Sequence, residues 1–276
     1  MRRWILPLFT LLIGLGIWAY PVPEGLSESA WRLFAIFAAT IFAVLSGTAS
    51  IFLAAILALA VAVLSGTLDP VRAYSGFSAG FILLIVVAFL VGRGVVNSGL
   101  GARIGLLLVR ACGKSSLGLA YSMVATDALI APAFPSNTAR SGVLFPIVYA
   151  LAQSNDSRPW EDSRRELGAY LMMCTMAGLG LSSALWLTAM AANPAGVALL
   201  AQRGVDIDFG SWFLASSVPT LLSMALVPWM LYRVFPPHRR HTPEAPAKAA
   251  AELRALGPLH RKEWITLGTF LGMVLG

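Results

Sequence analysis

Residues 114–155 read KSSLGLAYSMVATDALIAPAFPSNTARSGVLFPIVYALAQSN, and this stretch decides the fold. It is apolar enough for a membrane, but it is not one membrane helix. Asp127 and Arg140 cut it into charge-free runs of 12, 12 and 15 residues. A full span needs about 20 apolar residues, so no single run can cross. Pro132 and Pro135 break the middle run, and Ser136, Asn137 and Thr138 follow at once. The pattern predicts two half-helices with a polar tip between them, entering the bilayer and returning to the same side. Irregular backbone at that depth survives only where protein or a water-filled cavity surrounds it. Short, Pro-interrupted apolar segments point to a transporter binding site.

Composition agrees with a membrane chain. Of 276 residues 58% are hydrophobic and 12% charged, where soluble domains carry about 25% charged residues. The net charge of +7 falls between apolar runs. It therefore reads as the positive-inside bias rather than as a nucleic-acid surface. Cys112 and Cys174 lie in unrelated segments and form neither a disulfide framework nor a metal-ligand spacing. The histidines are His238, His241 and His260, all near the C-terminal end. No nucleophile–His–acid set and no catalytic residue is expected, so the chain is not read as an enzyme.

In chain order, residues 4–20 form a first span, with Arg2 and Arg3 holding the N-terminus in the cytoplasm. Residues 33–68 carry no charge. One helix of that length would reach about 54 Å, too long for a core of about 30 Å. A turn at Ser46-Gly47-Thr48 divides it into two spans, and residues 73–92 give a fourth. In 100–112, Arg103 and Arg110 share one helical face with Lys114, and Ile104, Leu107, Leu108 and Ala111 cover the other. That pattern predicts an amphipathic helix in the cytoplasmic interface. After the hairpin, residues 167–202 are again uncharged and are interrupted by Gly178, Gly180 and Asn193-Pro194. They read as a span broken near mid-depth. Residues 209–232 form a sixth span, with Trp212 an interface anchor, and 233–263 read as a flexible inside linker. Residues 264–276 begin a further apolar run and stop, which predicts a truncated span. Sixteen of twenty Lys and Arg fall inside in this topology, so the expected location is the cell inner (plasma) membrane, multi-pass.

Ser136, Asn137 and Thr138 precede a helical run and can serve as a plain N-cap. At membrane depth the same half-helix end also offers free N–H groups and partial positive charge to an anion. Ser182, Ser183 and Thr188 are candidate substrate contacts, and the alternative is that they satisfy neighbouring helices. Asp127 and Arg140 are intramembrane charges. They either pair to pin the hairpin arms or act on the substrate.

The stretches PVPEGLSESAWRLFAIF (21–37), GLGARI (99–104), DALIAPAFPSNTARSGVLFPI (127–147), GAYLMM (168–173) and LTAMAANP (187–194) carry a resemblance. They are similar to the N-terminal half of the divalent anion/sodium symporter family, over nearly all of residues 15–235. Within it they most resemble plastid 2-oxoglutarate/malate translocators and bacterial citrate/succinate exchangers. The resemblance implies an all-α multi-span transporter, the first of two inverted repeats, each with a Ser-Asn-Thr hairpin. It implies substrate contacts at Ser136, Asn137 and Thr138, and a coupling sodium ion near Ser136, Asn137, Gly178 and Asn193. It also implies a homodimer whose transport domain moves like an elevator against a scaffold. The division expected is 1–113 scaffold, 114–235 transport part, 236–263 cytoplasmic linker and 264–276 the start of a further span. No second Ser-Asn-Thr occurs, so a C-terminal half carrying one is the expected partner, beside the lipid bilayer and a di- or tricarboxylate substrate. The alternative is a non-transporting membrane assembly or regulatory protein on the same fold.

Overall fold

The structure, a computed structural model, describes residues 2–275. Among the described residues it is helical throughout, with no sheet and one isolated antiparallel bridge between Ser115 and His241. Five helical stretches are long and apolar enough to cross a membrane: Glu28–Leu45, Gly80–Ser98, Ser116–Ala133, Gly168–Leu185 and Phe209–Val234. The chain divides into two compact units, Met1–Ile82 and Leu83–Gly276.

In the first unit, α1 (Arg2–Ala19) packs on α2 (Glu28–Leu45), and α3 (Ile51–Leu64) and α4 (Pro70–Ser75) follow. The expected turn separates α2 from α3. Gly47 takes φ 70°, a left-handed conformation that suits glycine. Beside it the Ser46 and Thr48 hydroxyls bond at 2.8 Å. The same three residue types, Ser65-Gly66-Thr67, close α3 in the same way, with Gly66 at φ 69° and the hydroxyls 2.8 Å apart. Asp69 then caps α4 through Val71 N at 2.9 Å. The short α4 moves the fourth span along the chain. α5 runs Gly80–Ser98 rather than 73–92 and carries exposed Arg93 within it.

The second unit continues with α6 (Leu100–Cys112), α7 (Ser116–Ile130) and α8 (Asn137–Gln153). At 1.5 Å per residue α7 and α8 are about 22 and 26 Å long. Pro132 sits in a short 3-10 turn, Ala131–Ala133, and Phe134 and Ser136 are extended, so neither helix can continue into the other. α9 (Gly168–Leu185) is unbroken through Gly178 and Gly180. The break lies at 186–191, past the glycines and just before Asn193-Pro194, inside the stretch those residues were expected to interrupt, after which α10 (Ala192–Ala201) and α11 (Phe209–Val234) follow. Gly178 serves close packing: a Cβ there would lie 3.1 Å from Val124.

Two expectations change at the ends of this unit. Arg103 does not face an open interface; it is 8% exposed and held by Glu263, Nε to Oε1 at 2.6 Å and Nη2 to Oε2 at 3.1 Å. Gly257 O accepts from its Nη1 at 2.9 Å. The exposed face of α6 is Leu107, Arg110, Ala111 and Cys112. Nor is 233–263 a loose tether. His238 N and Arg239 N donate to Arg165 O and Glu166 O at 3.1 and 3.0 Å, and Ser116 N and Thr242 N pair with Arg240 O and Lys114 O at 3.1 and 3.0 Å. α12 (Ala245–Leu256) then packs on α6, with Ala245 and Ala249 buried beside Val109, Leu119, Met123, Tyr170 and Leu171. Alanines four apart present a flat strip that a neighbouring helix can approach closely. The last helix, α13, spans Arg261–Leu275.

Candidate functional site

Two helix breaks meet inside the second unit. The α7–α8 turn and the α9–α10 break face each other, and each satisfies backbone of the other. Thr188 Oγ1 donates to Pro132 O at 2.7 Å, Ala191 N to Pro135 O at 3.0 Å and Trp186 Nε1 to Ala128 O at 2.9 Å. Groups freed by the prolines would otherwise stand unpaired in an apolar interior, at about 1–3 kcal/mol each.

The end of α9 is treated likewise. The last carbonyls of an α-helix have no intrahelical partner. Here Asn193 Nδ2 donates to Ser183 O at 2.8 Å and Trp186 O at 3.2 Å, Trp212 Nε1 to Ala184 O at 3.0 Å and Ser216 Oγ to Leu185 O at 2.9 Å. Trp186 also stacks on Phe213, with centroids 4.7 Å apart. Trp212 thus does more than anchor an interface. Trp186, Trp212 and Ser216 are members of this region that sequence reasoning missed, and nothing in their spacing signals which carbonyl each would reach.

Behind the turn lies a buried charged cluster. Arg140 is 0% exposed and Asp127 1%. Arg140 Nη1 donates to Ser182 Oγ at 2.6 Å and lies 3.4 Å from Asp127 Oδ2. Its Nη2 is shared among Asn137 Oδ1 at 2.5 Å, Ser183 Oγ at 2.6 Å and Leu179 O at 3.2 Å. Ser182 in turn donates to Asp127, and Ser183 Oγ lies 2.6 Å from Asn137 Oδ1. One carboxylate contact and four neutral oxygens therefore surround the guanidinium, a group that keeps its charge in proteins. Asp127 Oδ1 and Arg140 Nε remain without a partner.

The open side is the N-terminus of α8. Ser136 is its N-cap and accepts from Ala139 N at 3.4 Å. Ser136 and Asn137 are half-buried and Thr138 is exposed. The amides of Asn137 and Thr138 precede the first intrahelical bond and have no partner among the described residues. Asp127, Asn137, Arg140, Ser182 and Ser183 thus come together, and Thr188 and Asn193 join the paired breaks. Gly178 stays apart on the α7-facing side of α9.

The sequence comparisons bear on this arrangement. The family described as "Sodium:sulfate symporter transmembrane region" matches residues 1–276. The chain is 43% identical over 267 residues to the putative malate transporter YflS of Bacillus subtilis, covering 96% of this chain and 56% of that protein. It is 41% identical over 256 residues to dicarboxylate transporter 2, chloroplastic, of Spinacia oleracea, covering 92% and 45%. It is 33% identical over 293 residues to the L-tartrate/succinate antiporter of Escherichia coli K12, covering 99% and 60%. The chain spans about half the length of these relatives. Matched along its whole length, the chain belongs to the sodium:sulfate symporter family of multi-pass membrane transporters.

Proposed function

We propose that these residues form the first of two inverted repeats in a secondary transporter of dicarboxylates. The carrying observation is the juxtaposition of the free α8 N-terminus with the buried Arg140 charge, at the place where two helix breaks meet. One substrate carboxylate is received by the amides of Asn137 and Thr138 and by the Ser136 and Thr138 hydroxyls. The helix end supplies partial positive charge and Arg140 a full one behind it. The names of the relatives, which include malate, dicarboxylate and tartrate/succinate transporters, support this substrate class. A symmetry-related Ser-Asn-Thr tip in a second half meets the other carboxylate. In this reading 114–155 is a re-entrant hairpin, residues 1–113 belong to a scaffold and 114–235 to the part that moves. The transporter works as a homodimer by an elevator motion, with its N-terminus cytoplasmic.

Part of the sodium set that the resemblance implies is already committed to other donors. Asn137 Oδ1 already accepts from Arg140 and Ser183. Asn193 gives its Nδ2 to two carbonyls while its Oδ1 accepts no hydrogen bond among the described residues, and the adjoining α9 carbonyls hold Trp212 and Ser216 donors. A sodium ion needs free oxygens, and a fixed cation beside them repels it. These contacts favour exchange of one dicarboxylate for another over sodium symport. Counterflow of labelled malate by the complete transporter, with and without sodium, tests the reading. Equal rates support exchange, strict sodium dependence overturns it, and no malate movement under either condition removes the substrate class.

A further inference from the structure

A further cavity adjoins the paired breaks and shares Asn193 and Trp212 with them. It has a volume of about 700 Å³ and runs between α10 and the first turns of α11, lined by Asn193, Gly196, Val197, Leu200, Arg203 and Trp212 among others. Its length follows α10 for roughly 16 Å. At Gly196 the groove is open: a Cβ added there meets nothing within 4 Å. The middle is apolar, with Leu199 64% and Leu200 42% exposed. The outer end carries Gln202 and Arg203.

Arg203 follows α10 in a tight turn, where Arg203 N donates to Leu200 O at 2.8 Å and Gly204 takes φ 77°. Its guanidinium makes no ion pair among the described residues. The acid nearest α11, Asp208, is occupied as that helix's N-cap through Ser211 N at 2.7 Å. That cap holds its carboxyl below the usual carboxylate range. Trp212 Nε1 is likewise committed, to Ala184 O. The groove is therefore asymmetric, with one uncompensated cation at the C-terminal end of α10 and apolar side chains along the rest of that helix.

We propose that this groove binds an anionic phospholipid, its phosphate on the Arg203 guanidinium and one acyl chain along Val197, Leu200 and Gly196. Guanidinium matches phosphate in geometry and charge, and an acyl chain matches the apolar side chains that line the rest of the groove. A four-carbon dianion fits worse, because both its ends need cations and the floor offers none.

Native mass spectrometry of the purified chain titrated with phosphatidylglycerol and phosphatidylcholine tests the assignment. Wild type should retain phosphatidylglycerol in preference to phosphatidylcholine. Arg203→Gln should lower that retention about fivefold, the effect of one interfacial cation, and erase the preference. Gly196→Leu should fill the channel and reduce both lipids while leaving thermal unfolding unchanged, since the site is open. Unchanged lipid retention in both variants overturns the proposal. So does displacement of the lipid by malate at millimolar concentration, or a change in self-association in place of lipid retention.

Discussion

Thr188 donates its hydroxyl to the Pro132 carbonyl at 2.7 Å, joining the α7–α8 turn to the α9–α10 break across 56 residues of chain. Both residues are buried. Thr188→Val keeps the shape and removes the donor, leaving a buried carbonyl unpaired. Unfolding of the chain in detergent should show a loss of about 1–3 kcal/mol, and Thr188→Ser should recover most of it. A valine variant as stable as wild type would show that the bond does not hold the breaks together.

The Asp127–Arg140 pair makes a second case. Arg140→Ala leaves Asp127 buried beside a void and should destabilise by about 3–5 kcal/mol. Asp127→Asn should be milder, because four neutral oxygens still surround the guanidinium. The double variant Asp127→Asn with Arg140→Ala should be better folded than Arg140→Ala alone. Equal stability of that single and the double variant would count against pairing, and a larger loss from Asp127→Asn than from Arg140→Ala would reverse the assignment of roles.

Much of this fold is legible in the sequence because it is written in local chemistry. The Ser-Gly-Thr turn at 46–48, the prolines at 132 and 135 and the Ser136 cap each dictate their own backbone. The exact position of the break within 178–194 shows the limit of that logic. Gly178 reads as an interruption, but in a packed apolar interior a glycine also serves close helix approach, here against Val124. Residues 233–263 have the composition of a loose linker. Their order comes from pairing with chain 70 to 130 residues earlier, at Arg165, Glu166 and Lys114. Arg103 and Glu263 are 160 residues apart. Capping chemistry marks Ser136–Thr138 as a helix start and the resemblance makes them candidate site residues, whereas Trp212 and Ser216 required the fold.

That linker can be tested directly. Ser115 and His241 face each other in an antiparallel bridge, where Cα atoms stand about 4.5–5.5 Å apart, within disulfide reach. With Cys112 and Cys174 replaced, Ser115→Cys with His241→Cys should cross-link rapidly under mild oxidant, read as a mobility shift after cleavage between the two positions. Ser115→Cys with Arg254→Cys is the control. Slow or indiscriminate cross-linking would restore the flexible linker.

Acidification should release Arg103 from Glu263. The Arg103 hydrogen bond, offset in part by burial, holds the Glu263 carboxyl below its ordinary value of 4.5. A depressed folded value means stability that is complete above 4.5 and lost as pH falls through the lower folded value. Unfolding measured from neutral pH downward should therefore show an acid limb in wild type that Glu263→Gln flattens, the variant being less stable at neutral pH. Parallel acid limbs in the two proteins would exclude this pair as their source.

The last prediction concerns the charge at Asn137. If the Arg140 guanidinium supplies the positive charge beside the substrate, wild-type uptake by the complete transporter is indifferent to sodium. Removing it with Arg140→Ala and Asp127→Asn takes one donor away from each of Asn137 Oδ1, Ser183 Oγ and Leu179 O. Those oxygens suit a hard cation. The double variant should lose at least about tenfold in uptake without sodium, one charge-assisted contact being worth about 1.5–3 kcal/mol. Sodium should restore part of that loss. Asn137→Ala should abolish uptake in both conditions while leaving membrane insertion intact, because it removes the side chain that links the α8 tip to the cluster. Full sodium-independent uptake by the double variant would separate Arg140 from the substrate, and full activity of Asn137→Ala would place the binding site elsewhere.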